Sequence, residues 1–254
     1  MTRIDQIMRQ ALPNPDTLVG VDLGQARDYT AITITERGHR LVGDPYNADT
    51  RDRRGRPTVE ARQRVEPEYQ CRHLERLPLG MPYPDQVKRI IKLTKRLGGS
   101  PLIVADQTGV GRAVVDLLIT ELGEAIEDTD LEPTVVRIGI TGGAAVSRIL
   151  GGFSVPKVDL VGAPLVLMQN DRLHVAESLK LQPTLVKELL NFRRKININT
   201  SNATYEAWRE GDHDDLVLSL ALGTWAGQNL LRTREYVSAP AALVPDAPII
   251  YRGR

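Results

Sequence analysis

Carboxylates stand where two apolar segments of the chain end and where a third begins. They are Asp22, Asp106 and the group Asp212, Asp214 and Asp215. Three or more carboxylates brought together repel one another unless cations neutralise them. Their hard oxygens suit Mg²⁺ or Mn²⁺, and a pair of such ions can activate a water and stabilise the leaving oxygen of a phosphodiester. These residue types therefore indicate a metal-dependent hydrolytic site.

The elements that must position these acids can be predicted from the apolar patterns. Residues 18–21 and 101–105 have the composition of buried strands, and a glycine-containing turn and a helix follow the second one. A strand–turn–helix unit predicts that its strand is parallel to a neighbour. If the two strands are adjacent, Asp22 and Asp106 lie side by side at the carboxyl edge of a sheet, where α/β proteins bind ligands.

The third group of acids opens a predicted apolar helix at residues 216–231. Adjacent residues on a helix point about 100° apart, and the sequence does not choose between Asp214 and Asp215 as the acid that faces the others.

Each acid also has a purely structural explanation. An Asp at a strand end is a common turn former, and Asp212 is a natural helix N-cap. Acids in the first turn of a helix are favoured by the helix dipole without any catalysis. The combination of two strand ends with an acidic helix start favours the chemical explanation over three separate structural ones.

A basic segment is the second candidate feature. Residues 51–64 contain six arginines against Asp52 and Glu60, a net charge of +4 (6 − 2), without an apolar period. The segment is either a solvated, partly disordered loop or a loop that contacts phosphates. The candidate DNA contacts are Arg51, Arg53, Arg54, Arg56 and Lys157.

The overall composition excludes several classes of protein. The net charge of +1 gives no global attraction to nucleic acid, so any such surface must be local. The single cysteine, Cys71, excludes an internal disulfide and a multi-cysteine zinc site, and it fits a reducing cytoplasm. No apolar run approaches the roughly 18–20 residues of a membrane span, and the N-terminus lacks the apolar core of a signal peptide. We expect a cytoplasmic protein that binds no membrane.

Three motifs together resemble the nuclease domain of phage terminase large subunits, a branch of the RNase H-like superfamily. They are VGVDLG with DYTA at residues 19–31, VADQTGVG at residues 104–111 and HDDLV at residues 213–217. Residues 153–190 also resemble this family. The resemblance implies an α/β, RNase H-like fold with a mixed central sheet of about five strands flanked by helices.

The same resemblance implies a metal-dependent endonuclease that cuts concatemeric viral DNA during genome packaging by two-metal-ion hydrolysis. Carried over position by position, Asp22, Asp106 and Asp215 are the catalytic ligands of two Mg²⁺ or Mn²⁺ ions. Asp214 competes with Asp215 for the third position, and His213 is an auxiliary residue that orients a water or a ligand.

The resemblance also implies the partners. Double-stranded DNA would be the substrate, and the small terminase subunit and the portal would be further partners. No G-x-x-x-x-G-K-[ST] phosphate-binding loop occurs, so the packaging ATPase is expected to be separate or missing. We expect a lead-in or linker at residues 1–16, a nuclease domain at 17–235 and a disordered tail at 236–254, in the cytoplasm of a bacterial host.

Three other functions compete with this one. The DLG motif followed by TA also resembles the first phosphate loop of actin-like or sugar-kinase-like ATPases. A Holliday-junction resolvase of the same superfamily would share the metal chemistry but would need a dimer and junction-selective cleavage. A non-catalytic DNA-binding module would tolerate loss of all three acids.

Overall fold

The computed structural model describes residues 3–24, 28–198 and 214–244, without the side chains of residues 193–198. These residues form two compact units. The first lies within Asp16–Arg37 and Tyr69–Leu231, and the second within Met1–Pro15, Gly38–Glu68 and Arg232–Arg254. The candidate acids all belong to the first unit.

The described residues form six α-helices and nine strands. The helices are α1 (Arg3–Gln10), α2 (Tyr83–Leu97), α3 (Gly111–Ile126), α4 (Lys157–Gln169), α5 (Gln182–Ile198) and α6 (Asp215–Asn229). The strands are β1 (Asp16–Asp22), β2 (Ala31–Arg51), β3 (Pro57–Arg76), β4 (Leu102–Asp106), β5 (Thr134–Thr141), β6 (Ser147–Ile149), β7 (Gly152–Pro156), β8 (Leu173–Val175) and β9 (Tyr236–Pro240).

The first unit is built on a mixed sheet with the strand order β6-β7-β5-β4-β1-β2-β3-β8. Strand β1 is antiparallel to β2 and parallel to β4, and β4, β5 and β7 are parallel to one another. This confirms the α/β class with a mixed central sheet flanked by helices. The path holds eight strands rather than about five, and two of them, β6 and β8, are only three residues long.

The two faces of this sheet carry separate apolar cores. Alternation along a strand sends Leu18 into one core with α4, α5 and α6, while Val19 and Val21 enter the other core with α2 and α3. Helix α6 is buried along almost its whole length, which explains its apolar sequence. The predicted helix at 216–231 is thus the central helix of one face.

Close approach of α6 to β1 depends on a glycine. A Cβ atom at Gly20 would overlap the carbonyl oxygen of Ser219 and would lie 2.9 Å from Thr33 Oγ1. Only a residue without a side chain allows the helix to pack this close to the strand. The strand that ends at Asp22 and the helix that begins at Asp215 are consequently held against each other by backbone contact.

In the second unit, a hairpin replaces the loop expected at residues 51–64. Residues 38–51 of β2 and 57–68 of β3 are the two arms of a long hairpin, and no loop longer than the turn at 52–56 separates them. The hairpin was missed because inward positions carry polar residues such as Asn47 and Gln63, which hide the apolar alternation. The disordered-loop alternative is therefore wrong for this segment.

The predicted tail at 236–254 is also ordered over its first residues. Strand β9 pairs antiparallel with Glu60–Arg64 of β3, and a short 3₁₀ helix, Ala241–Leu243, follows. Alternate residues Val237 and Ala239 are buried with Met8 of α1. The free energy gained by this burial offsets the conformational entropy that the segment loses when it is ordered. The predicted disorder is wrong for residues 236–244.

Several other predictions have different outcomes. The apolar spacing of residues 4–12 predicts a short helix in the N-terminal lead-in, and α1 is present there. The edge strand that the sequence favours at residues 204–208 and the chain beyond 244 lie outside the described residues. Within the described ranges, no helix combines the length and the apolar character needed to cross a membrane.

Candidate acidic site at the sheet edge

Asp22 and Asp106 leave the sheet side by side. Strands β1 and β4 are parallel neighbours, and their last paired residues are Val21 and Ala105. The next residue of each strand is the carboxylate, so both acids emerge at the same carboxyl edge. The predicted adjacency of the two strands is confirmed.

The Asp106 carboxylate is held by the turn that follows it. Its Oδ1 atom accepts hydrogen bonds from the Thr108 backbone N–H at 2.8 Å and from Thr108 Oγ1 at 2.5 Å. Thr108 Oγ1 in turn accepts a hydrogen bond from the backbone N–H of Ile140 at 2.9 Å. Asp106 is thus a turn former, as its structural explanation requires, and the same bonds fix its direction.

A buried polar cluster fixes the chain just after Asp22. The backbone N–H of Gly24 donates to Thr30 Oγ1 at 2.9 Å, and Gln86 Nε2 donates to the carbonyl oxygens of Gly24 and Met81 at 3.0 and 2.9 Å. Thr30 and Gln86, 2.7 Å apart through Oγ1 and Oε1, are both buried. These two side chains hold the chain just after Asp22 at Gly24 without taking part in the acidic cluster.

Asp214 precedes α6 and contacts a lysine from another element. Lys157 begins α4 directly after β7, and its Nζ atom donates to Asp214 Oδ2 at 2.7 Å. The Lys157 side chain is 14% exposed. Although the sequence identified Lys157 as a candidate phosphate contact, its ammonium group lies against the acids of this site.

Asp215 is engaged by an arginine. Arg76 Nε donates to Asp215 Oδ2 at 2.6 Å, and Arg76 Nη2 donates to Asp215 Oδ1 at 3.1 Å and to Glu188. Glu188 Oε2 accepts a hydrogen bond from the backbone N–H of Val217 at 3.1 Å and so caps the first turn of α6. The guanidinium also lies 4.9 Å from the centre of the Tyr29 ring.

Burial is the main cause of the electrostatic perturbation of Asp22. It raises the pKa of Asp22 well above its ordinary value, and the charges of Asp106, Asp214 and Asp215 raise it further. Lys157 acts in the opposite direction. The four carboxylates therefore share one electrostatic neighbourhood.

Two further acids of this neighbourhood have raised pKa values. Burial raises the pKa of Asp106, while hydrogen bonds from Thr108 and the charge of Lys157 oppose the shift. Burial and then the charge of Asp215 raise the pKa of Glu188 to about 8, although the hydrogen bond from the Val217 N–H and the charge of Arg76 act to lower it. Crowded carboxylates of this kind are typical of sites that hold cations or transfer protons.

The chemistry of the donors fits a hard divalent cation. Asp22, Asp106 and Asp214 supply carboxylate oxygens without sulfur or imidazole donors, which suits Mg²⁺ or Mn²⁺. Over residues 3–24, 28–198 and 214–244, however, no three His, Cys, Asp or Glu side chains surround one point closely enough to hold an ion. The described side chains thus place carboxylate oxygens suited to a divalent cation at the carboxyl edge of the sheet. The cation that contacts Asp214 there is the Lys157 ammonium group.

The other predicted site residues lie elsewhere. The four predicted arginine contacts, Arg51, Arg53, Arg54 and Arg56, are exposed at the turn of the β2–β3 hairpin in the second unit. His213 lies outside the described residues, so its auxiliary role stays a prediction.

Sequence reasoning missed the residues that support the acids, namely Thr30, Arg76, Gln86 and Glu188. Glu188 left one signal, because an acid beside Leu189 in an apolar helical stripe requires a buried partner. Arg76 left none, since its partners are 112 and 139 residues away in the sequence.

No protein-family model matches the sequence, and no curated protein matches it significantly. Among solved structures, the Mn-soaked terminase nuclease domain of human cytomegalovirus is similar over 87% of this chain and 89% of that domain, with 10% identity and a TM-score of 0.50. Its inhibitor-bound form gives 10% identity, 87% and 86% coverage and a TM-score of 0.46. The large terminase nuclease of thermophilic phage G20c gives 22% identity, 85% and 83% coverage and a TM-score of 0.46. The chain thus shares its fold with the terminase nuclease domain of human cytomegalovirus.

Proposed function

We propose that this protein is a divalent-metal-dependent endonuclease that hydrolyses phosphodiester bonds of double-stranded DNA. The observation that carries the proposal is the emergence of Asp22 and Asp106 at the carboxyl ends of adjacent parallel strands, inside a fold shared with a terminase nuclease domain. The manganese used to soak the cytomegalovirus domain suits carboxylate ligands of the same kind.

Asp22, Asp106 and Asp214 are the residues that would hold the ions. When bound, a pair of divalent ions supplies an activated water and stabilises the charge that develops on the leaving 3′ oxygen. The Thr108 hydrogen bonds hold Asp106, and the Thr30–Gln86 pair holds the loop after Asp22. Lys157 neutralises part of the negative charge between the acids.

We assign the third ligand to Asp214 in preference to Asp215. Both carboxylate oxygens of Asp215 accept hydrogen bonds from Arg76, and the Asp215 side chain is only 3% exposed. Asp214 is 30% exposed, and its charge acts on Asp22 more strongly than that of Asp215 does. Asp215 then anchors the start of α6 and leaves metal binding to its neighbour.

The biological setting follows from the motif resemblance. We propose that the enzyme cuts concatemeric viral DNA during genome packaging in the cytoplasm of a bacterial host. No phosphate-binding loop occurs within the 254 residues, so a packaging ATPase outside them would move the DNA. The small terminase subunit and the portal are the further partners that this setting requires.

Incubation of the purified chain with supercoiled plasmid tests the activity. We expect nicked and linear DNA with Mn²⁺ or Mg²⁺, no product with a chelator and no dependence on ATP. Asp106→Asn keeps an acceptor for Thr108 but removes the charge, and it should lower cleavage by at least about 100-fold, the scale of a lost electrostatic group in a catalytic site. Asp130→Asn, at an exposed loop position, is the matched control and should cut as wild type does.

Two results would contradict the proposal. Cleavage by Asp106→Asn at the wild-type rate would remove the acidic site from the reaction. Metal-dependent ATP hydrolysis in the absence of any DNA cleavage would favour the actin-like or sugar-kinase-like alternative. Preferential cutting of four-way junctions over plasmid would instead favour the resolvase.

A further inference from the structure

The hairpin of the second unit ends in a turn that the site chemistry does not use. Strand β2 ends at Arg51, strand β3 begins at Pro57, and residues 52–56 connect them. Strand β9 covers β3 only from Glu60 to Arg64, so its pairing stops before the turn. The turn is the exposed end of a two-stranded ribbon.

One aspartate organises this turn. Asp52 Oδ1 accepts the backbone N–H groups of Arg54 and Arg56, both at 2.9 Å, and Asp52 Oδ2 accepts Arg56 Nε at 2.8 Å. Gly55 has a φ of +78°, which favours glycine, and its carbonyl oxygen accepts a hydrogen bond from Arg51 Nη1 at 2.8 Å. These bonds give the turn a defined shape, so little ordering entropy remains to be lost when it binds a partner.

The charge at the turn is strongly positive. Residues 51–56 contain four arginines and one aspartate, a net charge of +3 (4 − 1), and all four arginines are exposed. Asp52 forms its ion pair with Arg56. Among the described ion pairs, none joins Arg51, Arg53 or Arg54 to a carboxylate, whereas Arg62 and Arg64 on the arm pair with Glu60 and Glu66.

We propose that this turn is a duplex-DNA anchor that enters the major groove and binds the phosphates along its edges. The inference rests on the proposed function for its choice of DNA over other polyanions. A two-stranded ribbon fits the major groove of B-form DNA, which is about 12 Å wide. The arginine guanidinium groups then donate hydrogen bonds to phosphate oxygens on both DNA strands. Such contacts increase the affinity and position the protein on the duplex without depending on the base sequence.

The same geometry predicts discrimination against double-stranded RNA. The major groove of A-form RNA is deep and narrow and does not admit such a ribbon. A turn that only attracted phosphates electrostatically would lose DNA and RNA affinity equally when its charge is removed. The groove-entering turn should contribute to DNA affinity and contribute much less to RNA affinity.

The binding test uses the full chain with Asp106→Asn, so that DNA is not cut during titration. Fluorescence anisotropy gives Kd for a short duplex as a function of salt, with and without Arg51→Gln, Arg53→Gln and Arg54→Gln. We expect the slope of log K against log salt to become shallower by about 3 and the affinity to fall about 10- to 100-fold. Asp49→Asn, which removes an exposed acid near the turn, should raise the affinity.

The control removes the same charge from another surface. Lys88→Gln, Lys92→Gln and Arg96→Gln, on α2 of the first unit, should change Kd much less than the turn variant does. An equal loss of DNA affinity in both variants would show that only the net charge of the protein matters, and it would overturn the proposal. An unchanged Kd in a turn variant that keeps the wild-type melting temperature would also overturn it.

Duplex RNA of the same sequence completes the test. An equal loss of RNA and DNA affinity in the turn variant would exclude entry into the major groove. The experiment distinguishes a failure of this inference from a failure of the proposed function, because a chain that binds DNA through its turn but cuts nothing would support the first and contradict the second. Active chain with the turn variant should show a raised KM and an unchanged kcat.

Discussion

Arg76 donates two hydrogen bonds to Asp215, from Nε to Oδ2 at 2.6 Å and from Nη2 to Oδ1 at 3.1 Å. The same guanidinium also donates a hydrogen bond to Glu188. Glu188 caps the helix that Asp215 begins. One arginine thus joins strand β3, helix α5 and the start of α6. Because both of its carboxylate oxygens accept hydrogen bonds from Arg76, Asp215 has a structural role. Its neighbour Asp214 does not take part in this network.

The two neighbouring acids should therefore respond differently to the same change. Asp214→Asn should abolish metal-dependent cleavage with little change in the melting temperature, because the relief of repulsion in a crowded cluster offsets the weakened contact with Lys157. Asp215→Asn should lower the free energy of unfolding by about 1–3 kcal/mol through loss of a partly buried, hydrogen-bonded ion pair. Plasmid cleavage and urea unfolding of both variants measure this. Loss of cleavage in Asp215→Asn together with loss of stability in Asp214→Asn would instead identify Asp215 as the third ligand.

Removal of the arginine should be more costly than removal of either partner. Arg76→Met leaves Asp215 and Glu188 without their cation, and breaking a buried pair in this way costs about 3–5 kcal/mol. Adding Glu188→Gln to Arg76→Met should recover part of the loss, since it removes a carboxyl group whose charge is already disfavoured by burial and by Asp215 and no longer has a cation beside it. Chemical denaturation of the single and double variants gives both numbers. A loss below about 1 kcal/mol for Arg76→Met would show that the network contributes little.

The close contact between β1 and α6 gives a matched pair of glycine substitutions. Gly20→Ala would push a methyl group into the Ser219 carbonyl and should destabilise the fold by about 3 kcal/mol or more, the scale of severe overpacking. A Cβ at Gly223, on the same interface, meets its first neighbours at 3.7 Å. Gly223→Ala should be neutral or stabilise by up to about 1 kcal/mol through helix propensity. Thermal unfolding compares them, and equal effects would contradict the contact.

Glu75 provides a test of pH dependence away from the acidic site. Burial alone would raise its pKa, but hydrogen bonds from Arg89 and His73 outweigh burial and lower the pKa below its ordinary value. A carboxylate with a lowered folded-state pKa stabilises the fold above its unfolded pKa of about 4.3, and this contribution is lost as the pH falls through the folded-state pKa.

The expected measurement is a stability difference that depends on pH. Glu75→Gln should lose about 1 kcal/mol near pH 7, and the loss should shrink as the pH falls below about 4. Glu36→Gln is the control, because the Glu36–Arg72 pair is exposed and should contribute little at any pH. Urea unfolding at several pH values makes the comparison. A Glu75→Gln difference that does not vary with pH would exclude the ion pair as its source.

The acidic edge was predictable because its information is local. The apolar segment before Asp22 and the strand–turn–helix unit around Asp106 each fit within a few residues, and the rule for parallel strands then joins them. The network around Arg76 was not predictable, since its partners lie more than a hundred residues away and no periodicity marks them. Folding brings such residues together through packing that a single sequence does not reveal.

The second unit was predicted poorly for a different reason. A strand is recognised by one apolar face, yet the hairpin arms bury Asn47 and Gln63 among apolar residues. Strand β9 had the same difficulty, because three prolines at residues 240–248 favour a disordered tail. The four arginines were correctly recognised as a basic group, but their place on a shaped turn became visible only with the fold.

The absence of a side chain at Gly20 has a consequence for how the protein responds to ligands. Since helix α6 lies directly on the backbone of β1, we expect the strand that ends at Asp22 and the helix that begins at Asp215 to move together. Changes in charge at the sheet edge can then rotate side chains such as Lys157 without shifting the main chain. Amide hydrogen exchange in these two elements should be as slow with a ligand as without one.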